Sequence, residues 1–190
     1  MTHRRSTVEL KAVESSAVKD SVERAKLAEL EGRWAEACTL YEQLVRNPDV
    51  HASTRLAVLR WLGRAYMEQG NRGAALDVLE AAVASAEILG SPPAVAQALN
   101  VVGIVYQTSG DLDQAAKIYE AARDKAESSG DGALIAMLDQ NLGTVAIIRG
   151  DLRGALEAFR LSHLGYQSLG MRNHEAQVLN NIGLAYMELG

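Results

Sequence analysis

Apolar residues along the chain return at intervals of three and four, not two. Leu112, Ala115, Ala116, Tyr119 and Ala122 make one such face. Leu152, Ala155, Leu156 and Phe159 repeat it forty residues later, with Ser162 in the last place. This spacing gathers side chains on one side of an α-helix, whereas a strand would alternate. Between the apolar segments lie glycines followed by Asn, Asp or Ser, the residues that stop one helix and start the next.

These signals recur on a fixed beat. Leu62-Gly63, Val102-Gly103, Leu142-Gly143 and Ile182-Gly183 are spaced by forty residues. A second glycine follows each after seven positions, at Gly70, Gly110, Gly150 and Gly190. Asn71, Asp111 and Asp151 come directly after the first three of these. Then follow Ala75 with Leu79, Ala115 with Tyr119, and Ala155 with Phe159. A weaker first copy reads Gly32, Ala37, Tyr41, at an offset of 38 residues.

Glycine suits the left-handed position after a helix end, and Asn or Asp suits the next N-cap. Each Gly-Asn or Gly-Asp therefore predicts a tight turn inside a helical hairpin. Gly90, Gly130 and Gly170 predict the stops of the second helices. Ser91 before Pro92, Asp131 and Asn173 are the expected restarts. The predicted helices are 18–31, 34–46, 52–69, 72–89, 92–109, 112–129, 132–149, 152–169 and 173–189. Residues 7–17 extend the first helix or fray from it. Gly63 with Ala75, and Gly103 with Ala115, are expected to let two backbones approach closely. Tyr66, Tyr106 and Tyr186 are expected to fill the wider gaps between hairpins.

Composition narrows the class. The chain has 190 residues, 48% hydrophobic and 23% charged, with a net charge of −5. That is too apolar and too weakly charged for a disordered chain. No apolar run approaches the length of a membrane span, and no secretory signal is visible. Mild acidity without clustered Lys and Arg points away from nucleic acid. One cysteine, Cys38, leaves no internal disulfide, and it takes a small apolar core position. His3, His51, His163 and His174 lack ligand spacing, so neither metal nor cofactor is expected. There is no phosphate loop and no nucleophile elbow, so no catalytic residue is assigned and the chain is read as a non-enzyme. Arg149-Gly150-Asp151 spells an adhesion tripeptide, but it lies on a turn that every repeat has.

The Leu-Gly-x-x-Tyr and Ala-x-x-x-Phe pattern resembles the tetratricopeptide repeat. The resemblance covers roughly residues 18–190. Two departures stand out. The signature tryptophan four positions before the glycine is Leu59, Leu99, Asp139 and Leu179 here. The period is forty, against about 34 in the common form, as in the long variant of kinesin light chains and bacterial peptide-sensing regulators. A HEAT-type array has a similar period but lacks these signals. The resemblance implies an all-α, right-handed superhelical solenoid of antiparallel hairpins, about four and a half repeats long. Residues 1–6 are expected to be a flexible tail. The array occupies 7–190, with repeats near 18–50, 51–90, 91–130 and 131–170 and a half repeat at 171–190.

First helices of such arrays line a concave groove, and the resemblance places particular positions there. In this chain the candidate binding residues are Arg60 and Arg64, then Gln97, Asn100, Ile104 and Gln107. Gln140, Thr144 and Ile147 follow, then Gln177, Asn180 and Leu184. Ala57, Met67, Glu68, Thr108, Met137, Ile148, Met187 and Glu188 share the same face. The side-chain amides form a ladder able to pair with an extended peptide backbone, since an amide both donates and accepts. Ile104, Ile147, Leu184 and the methionines would grip its side chains. Asn141 and Asn181 fall one position later, where the family often has a structural Asn. Arg60 and Arg64, one turn apart, could hold a carboxylate or phosphate; the plainer reading pairs them with Glu68 or Asp77. Chaperone-binding members use Lys and Asn at these two places and repeat them in the next hairpin. Asn100 and Ile104 stand there instead.

The function read from the sequence is a protein-interaction module that binds a peptide or partner protein, in the cytoplasm. The alternative is the sensor portion of a larger bacterial signalling protein, a transcription regulator or nucleotide cyclase, with its output domain outside this chain. The last helix has no successor in this sequence. Its stripe of Val178, Ile182, Ala185 and Leu189 is therefore expected to be uncovered, so that the chain pairs as a homodimer through that helix or the helix frays.

Overall fold

The structure, a computed structural model, describes residues 15–188. Among these, nine α-helices follow one another and no strand occurs. They are α1 (Ser16–Leu30), α2 (Trp34–Arg46), α3 (Ala52–Glu68), α4 (Arg72–Ile88), α5 (Pro92–Thr108), α6 (Leu112–Ser129), α7 (Gly132–Ile148), α8 (Leu152–Ser168) and α9 (Arg172–Glu188). Each packs on the next, and α3 also touches α5, as α5 touches α7. The odd-numbered helices thus form one layer and the even-numbered helices a second: a solenoid of helical hairpins. No described helix is long and apolar enough to cross a membrane. The expected tail at 1–6, the expected extension of the first helix over 7–14, and Leu189 and Gly190 lie outside the described residues.

The turns follow from the glycines. Gly70, Gly110 and Gly150 have φ of 76, 80 and 78°, a conformation that costs glycine least. The Asn71 side chain accepts a hydrogen bond from the Ala74 N–H at 3.2 Å. Asp111, Asp131 and Asp151 do the same for Gln114, Leu134 and Gly154. Two expected restarts differ. Ser91 stands before α5, but its hydroxyl makes no capping bond, and Pro92 sets the first turn instead. Helix α9 begins at Arg172, so Asn173 lies inside its first turn. The forty-residue beat, which puts Met171 at the restart, outweighs the capping preference of Asn.

Packing centres on the repeat glycines. A Cβ at Gly63 would lie 2.5 Å from Leu79, and one at Gly143 2.6 Å from the Phe159 ring. One at Gly103 would collide with the Tyr119 ring. The close approach is thus filled by the large residue four positions after each alanine, not by the alanine itself. Leu79, Tyr119 and Phe159 are all 0–1% exposed; each is a knob in a glycine socket. Gly183 has no atom within 4 Å of the corresponding position. Tyr66 and Tyr106 pack partly buried between apolar clusters, as expected, whereas Tyr186 is 61% exposed.

The expected stripe on α9 is also corrected. Val178 and Ala185 are fully buried, and Val178 packs with Phe159 and Tyr166 of α8, with Ile182 partly buried against them. The uncovered apolar residues of α9 are Leu179, Leu184, Tyr186 and Met187. Two apolar faces share the same three-four spacing, and only the repeat register separates them. Val178 corresponds to Leu138 and Ala185 to Val145, both covered.

Candidate functional site

The inner layer of first helices holds the candidate residues. Between α3, α5 and α7 runs a cleft of about 380 Å³. Arg60, Arg64, Gln97 and Asn100 line it, four of the residues singled out from the sequence. Met137, which shares their face, lines it too. Trp61, Val101, Asp131, Ala133 and Leu134 complete the wall. A second, more apolar cleft of about 290 Å³ gathers Thr144, Ile147 and Leu184 with Ile148, Phe159 and Asn181.

The polar groups of the first cleft are already partly engaged. The Arg60 guanidinium donates to Gln97 Oε1, and no carboxylate among the described residues pairs with it. Burial without such a partner pulls its pKa below the ordinary arginine range. Arg64 lies 3.6 Å from Glu29, which itself accepts from the Tyr41 hydroxyl. Glu68 and Asp77, the expected ion partners, pair with neither arginine. Asn100 is only 8% exposed. Its Oδ1 accepts from Asn141 Nδ2 at 2.8 Å, while its own Nδ2 donates to the Met137 thioether at 3.6 Å, a weak acceptor. Lys26 Nζ sits 4.3 Å above the Trp61 ring.

The remaining rungs of the amide ladder vary. Gln107 accepts from the Tyr119 hydroxyl at 2.8 Å, so it anchors a core aromatic. Gln140 and Thr144 are half-buried, and the Thr144 hydroxyl bonds the Gln140 carbonyl within α7. Ile104 packs against the core cluster of α6 and α7. Gln177 and Asn180 on α9 are exposed. The structure therefore brings Arg60, Arg64, Gln97 and Asn100 together, and separately Thr144, Ile147 and Leu184. Gln107, Gln140, Gln177 and Asn180 line neither cleft.

Sequence reasoning overlooked Trp61 as a cleft wall and Asp131 as a carboxylate at the rim; the latter was assigned as a cap only. It also treated Asp139 as a departure from the pattern. Asp139 is buried and ion-paired with Arg123 at 2.7 Å. Burial pushes its carboxyl above the ordinary value despite that arginine. A signal was available: Arg123 replaces the Val83 of the preceding repeat, just as Asp139 replaces Leu99. The single cysteine, Cys38, is 5% exposed, and burial pushes its thiol up to about 11. Among the described residues no group of His, Cys, Asp and Glu is placed to hold a metal.

Repeated helical hairpins with glycine sockets and a lined inner face define a tetratricopeptide-type solenoid. Family models described as tetratricopeptide repeat match residues 22–49 and 54–128. The chain belongs to the tetratricopeptide repeat family. A sequence comparison with curated proteins gives no match. Solved structures agree on the fold. One is the STAND protein with a tetratricopeptide repeat sensor from Pyrococcus horikoshii, with TM-score 0.78 at 16% identity over 90% of this chain and 26% of that one. Another is the Rap conjugation gene regulator of plasmid pLS20 in complex with the Phr* peptide. It gives TM-score 0.68 at 20% identity over 97% of this chain and 56% of that one. The nearly identical TPR-like repeats of a putative kinesin light chain from Podosopora anserina give 0.51 at 19%, over 92% and 97%. The chain spans about a quarter of the STAND protein and about half of the regulator.

Proposed function

We propose that this chain is a protein-interaction module whose inner face binds a peptide or a segment of a partner protein. The observation that carries the reading is the cleft between α3, α5 and α7, where Arg60, Arg64, Gln97 and Asn100 converge above apolar walls. Concave sites with apolar walls and a few convergent polar groups are the usual form of ligand sites. The peptide-bound Rap regulator supports the same reading by its fold. No step of bond making is assigned to any residue, and the array is read as one non-catalytic unit spanning 7–190, in the cytoplasm and without nucleic acid.

The STAND neighbour favours a second reading, in which the array is the sensor portion of a larger signalling protein. Both readings share the groove and differ in what the bound state controls. As part of the same reading, α9 pairs with a second copy. Leu179, Tyr186 and Met187, 51–78% exposed, lie one turn to either side of Gly183, where no atom meets an added Cβ, and a two-fold contact would cover them.

Changing Gln97 and Asn100 together to Ala should weaken peptide capture while circular dichroism stays unchanged. Each lost hydrogen bond is worth about 0.5–1.5 kcal/mol. Unchanged binding with intact helicity would move the ligand to the outer layer. Light scattering over a concentration series tests the pairing, and a mass fixed at the monomer would exclude it.

A further inference from the structure

Each position of the array has counterparts forty residues away in similar surroundings, so the repeats serve as one another's controls. Departures from the shared pattern that cost stability concentrate at functional places. Two such departures meet at one edge, where the N-terminal end of α3 lies beside the C-terminal end of α4. Arg55 stands where α5 and α7 have Val95 and Ile135, and Val95 is buried. The Arg55 Nη2 donates to the Asn47 and Val50 carbonyls at 2.9 and 3.1 Å, which fixes the group. Its Nε–H is buried without an acceptor. No carboxylate among the described residues pairs with it. The first turn of α3 holds no acidic residue, so the helix dipole adds to the charge of Arg55. Ile88 stands where α6 and α8 have Ser128 and Ser168, and it is 85% exposed. Arg55 and Ile88 line one cleft of about 190 Å³, with the buried Leu56 and Leu59 as its floor and Leu89 on its rim.

We propose that this cleft is a second docking surface, on the edge of the array and apart from the inner face. Its occupant is a segment of a partner protein that carries an apolar residue close to an acidic one. The apolar side chain enters between Leu56, Leu59, Ile88 and Leu89, and the carboxylate meets the Arg55 guanidinium. Size favours a single anchoring side chain: small-molecule sites span about 300–1,000 Å³, more than this cleft offers. Charge favours an acid, because a guanidinium held against two neutral carbonyls regains little of its lost hydration until an anion reaches it. The loop before α3 has already ordered the arginine, so less freedom is lost on binding.

The isotope-labelled full chain is titrated with acetylated, amidated alanine pentapeptides that carry Leu at the centre and Glu one or two positions to either side. The same peptides with Gln for Glu or Ala for Leu, and octanoate, are the controls. The Ile88 and Leu89 methyl and Arg55 Nε–H resonances are followed, and the Gln97 and Asn100 amides report on the inner face. At least one Leu–Glu peptide should shift the edge resonances, roughly tenfold tighter than its Gln or Ala counterpart. Arg55→Val, the residue of the next repeat, should erase the preference for Glu over Gln. Ile88→Ser should weaken binding several-fold and leave the melting temperature unchanged, since the side chain is exposed; it keeps the test valid if the Arg55 variant is poorly folded. Equal binding of Glu and Gln peptides would overturn the acidic partner. Shifts at the inner face alone would overturn this site and leave the groove reading standing, and silence at the edge with every probe would overturn the site as well. Tighter binding of octanoate than of any peptide would give the cleft to a free apolar acid instead of a protein. A mass that rises with concentration, and stops rising in Ile88→Ser, would give it to a second copy.

Discussion

Gly143 and Gly183 hold the same place in successive first helices and have opposite surroundings. Gly143 lies under the Phe159 ring, and Asp139, one turn before it, is 4% exposed. Gly183 meets nothing, and Leu179, one turn before it, is 51% exposed. Both helices carry the same local pattern and both form. The difference teaches that helix formation in this array is written locally, whereas burial of the second face is supplied by the next helix. Nearest-neighbour stacking of this kind is the general property of solenoids.

The sharpest way to break the comparison is to remove a knob on the covered side. Phe159 is 1% exposed and fills the Gly143 socket. Phe159→Ala should cost about 3–5 kcal/mol, the range for a buried aromatic that leaves a cavity. Tyr186→Ala, at 61% exposure in the single chain, should stay within about 0.5 kcal/mol in solution dilute enough to keep copies apart. Urea melts of the two variants check this; equal losses would mean that the Tyr186 face is covered in solution.

The next effect concerns the polar pair at the covered position. Replacing a buried ion pair with apolar residues is often neutral or stabilising by about 1–4 kcal/mol. Asp139→Leu with Arg123→Val restores the residues of the preceding repeat and should stabilise within that range. A pH dependence follows. Burial raises the folded-state value of Asp139 above its unfolded value. The folded state therefore holds the proton more tightly, and this contribution to stability is greatest below the ordinary carboxylate value. It is lost as pH rises through the raised one. The advantage of the double variant should grow from acid to neutral pH in paired melts, and an advantage that shrank would reverse the sign assigned to Asp139.

How far the sequence carried these conclusions can be judged from the same residues. The glycine-Asx beat placed the described helices to within one or two residues, because left-handed turns and capping side chains act over a few positions. Where capping preference and periodicity disagreed, at Asn173, periodicity was right, since stacking imposes the register. The outer face of α9 was mistaken because three-four spacing cannot say which of two apolar faces meets α8. In the groove, position along the repeat found Arg60, Arg64, Gln97 and Asn100. It could not show that Asn100 is held by Asn141 from the next first helix, a contact between residues of different repeats. The wall formed by Trp61 escaped for the same reason, whereas the Arg123–Asp139 pair is legible as two replacements of apolar residues in one repeat step.

Overpacking is a smaller test. A side chain at Gly103 would run into the Tyr119 ring, whose hydroxyl is anchored to Gln107 at 2.8 Å. The ring cannot turn aside without giving up that bond. Gly103→Leu should therefore destabilise by about 1–3 kcal/mol. An unchanged denaturation midpoint would place the socket elsewhere.

Gly183→Ala gives the smallest effect and the most direct reading of the open side. A helical glycine is worse than alanine by about 0.5–1 kcal/mol, because glycine loses more chain entropy on folding. At Gly63, Gly103 and Gly143 this gain is outweighed by collision with Leu79, Tyr119 and Phe159. At Gly183 no atom lies within 4 Å of the added Cβ, so the gain stands alone and the substitution should stabilise. Pairing through α9 adds a second condition. If Tyr186 of one copy enters the Gly183 socket of the other, the same methyl obstructs the contact. Stabilisation in dilute solution should then shrink or reverse as concentration rises, because association adds stability only by mass action. Thermal melts at two widely separated concentrations read both effects. A constant gain at all concentrations leaves α9 open and removes the dimer, whereas a loss even in dilute solution would show the socket to be filled in the free chain.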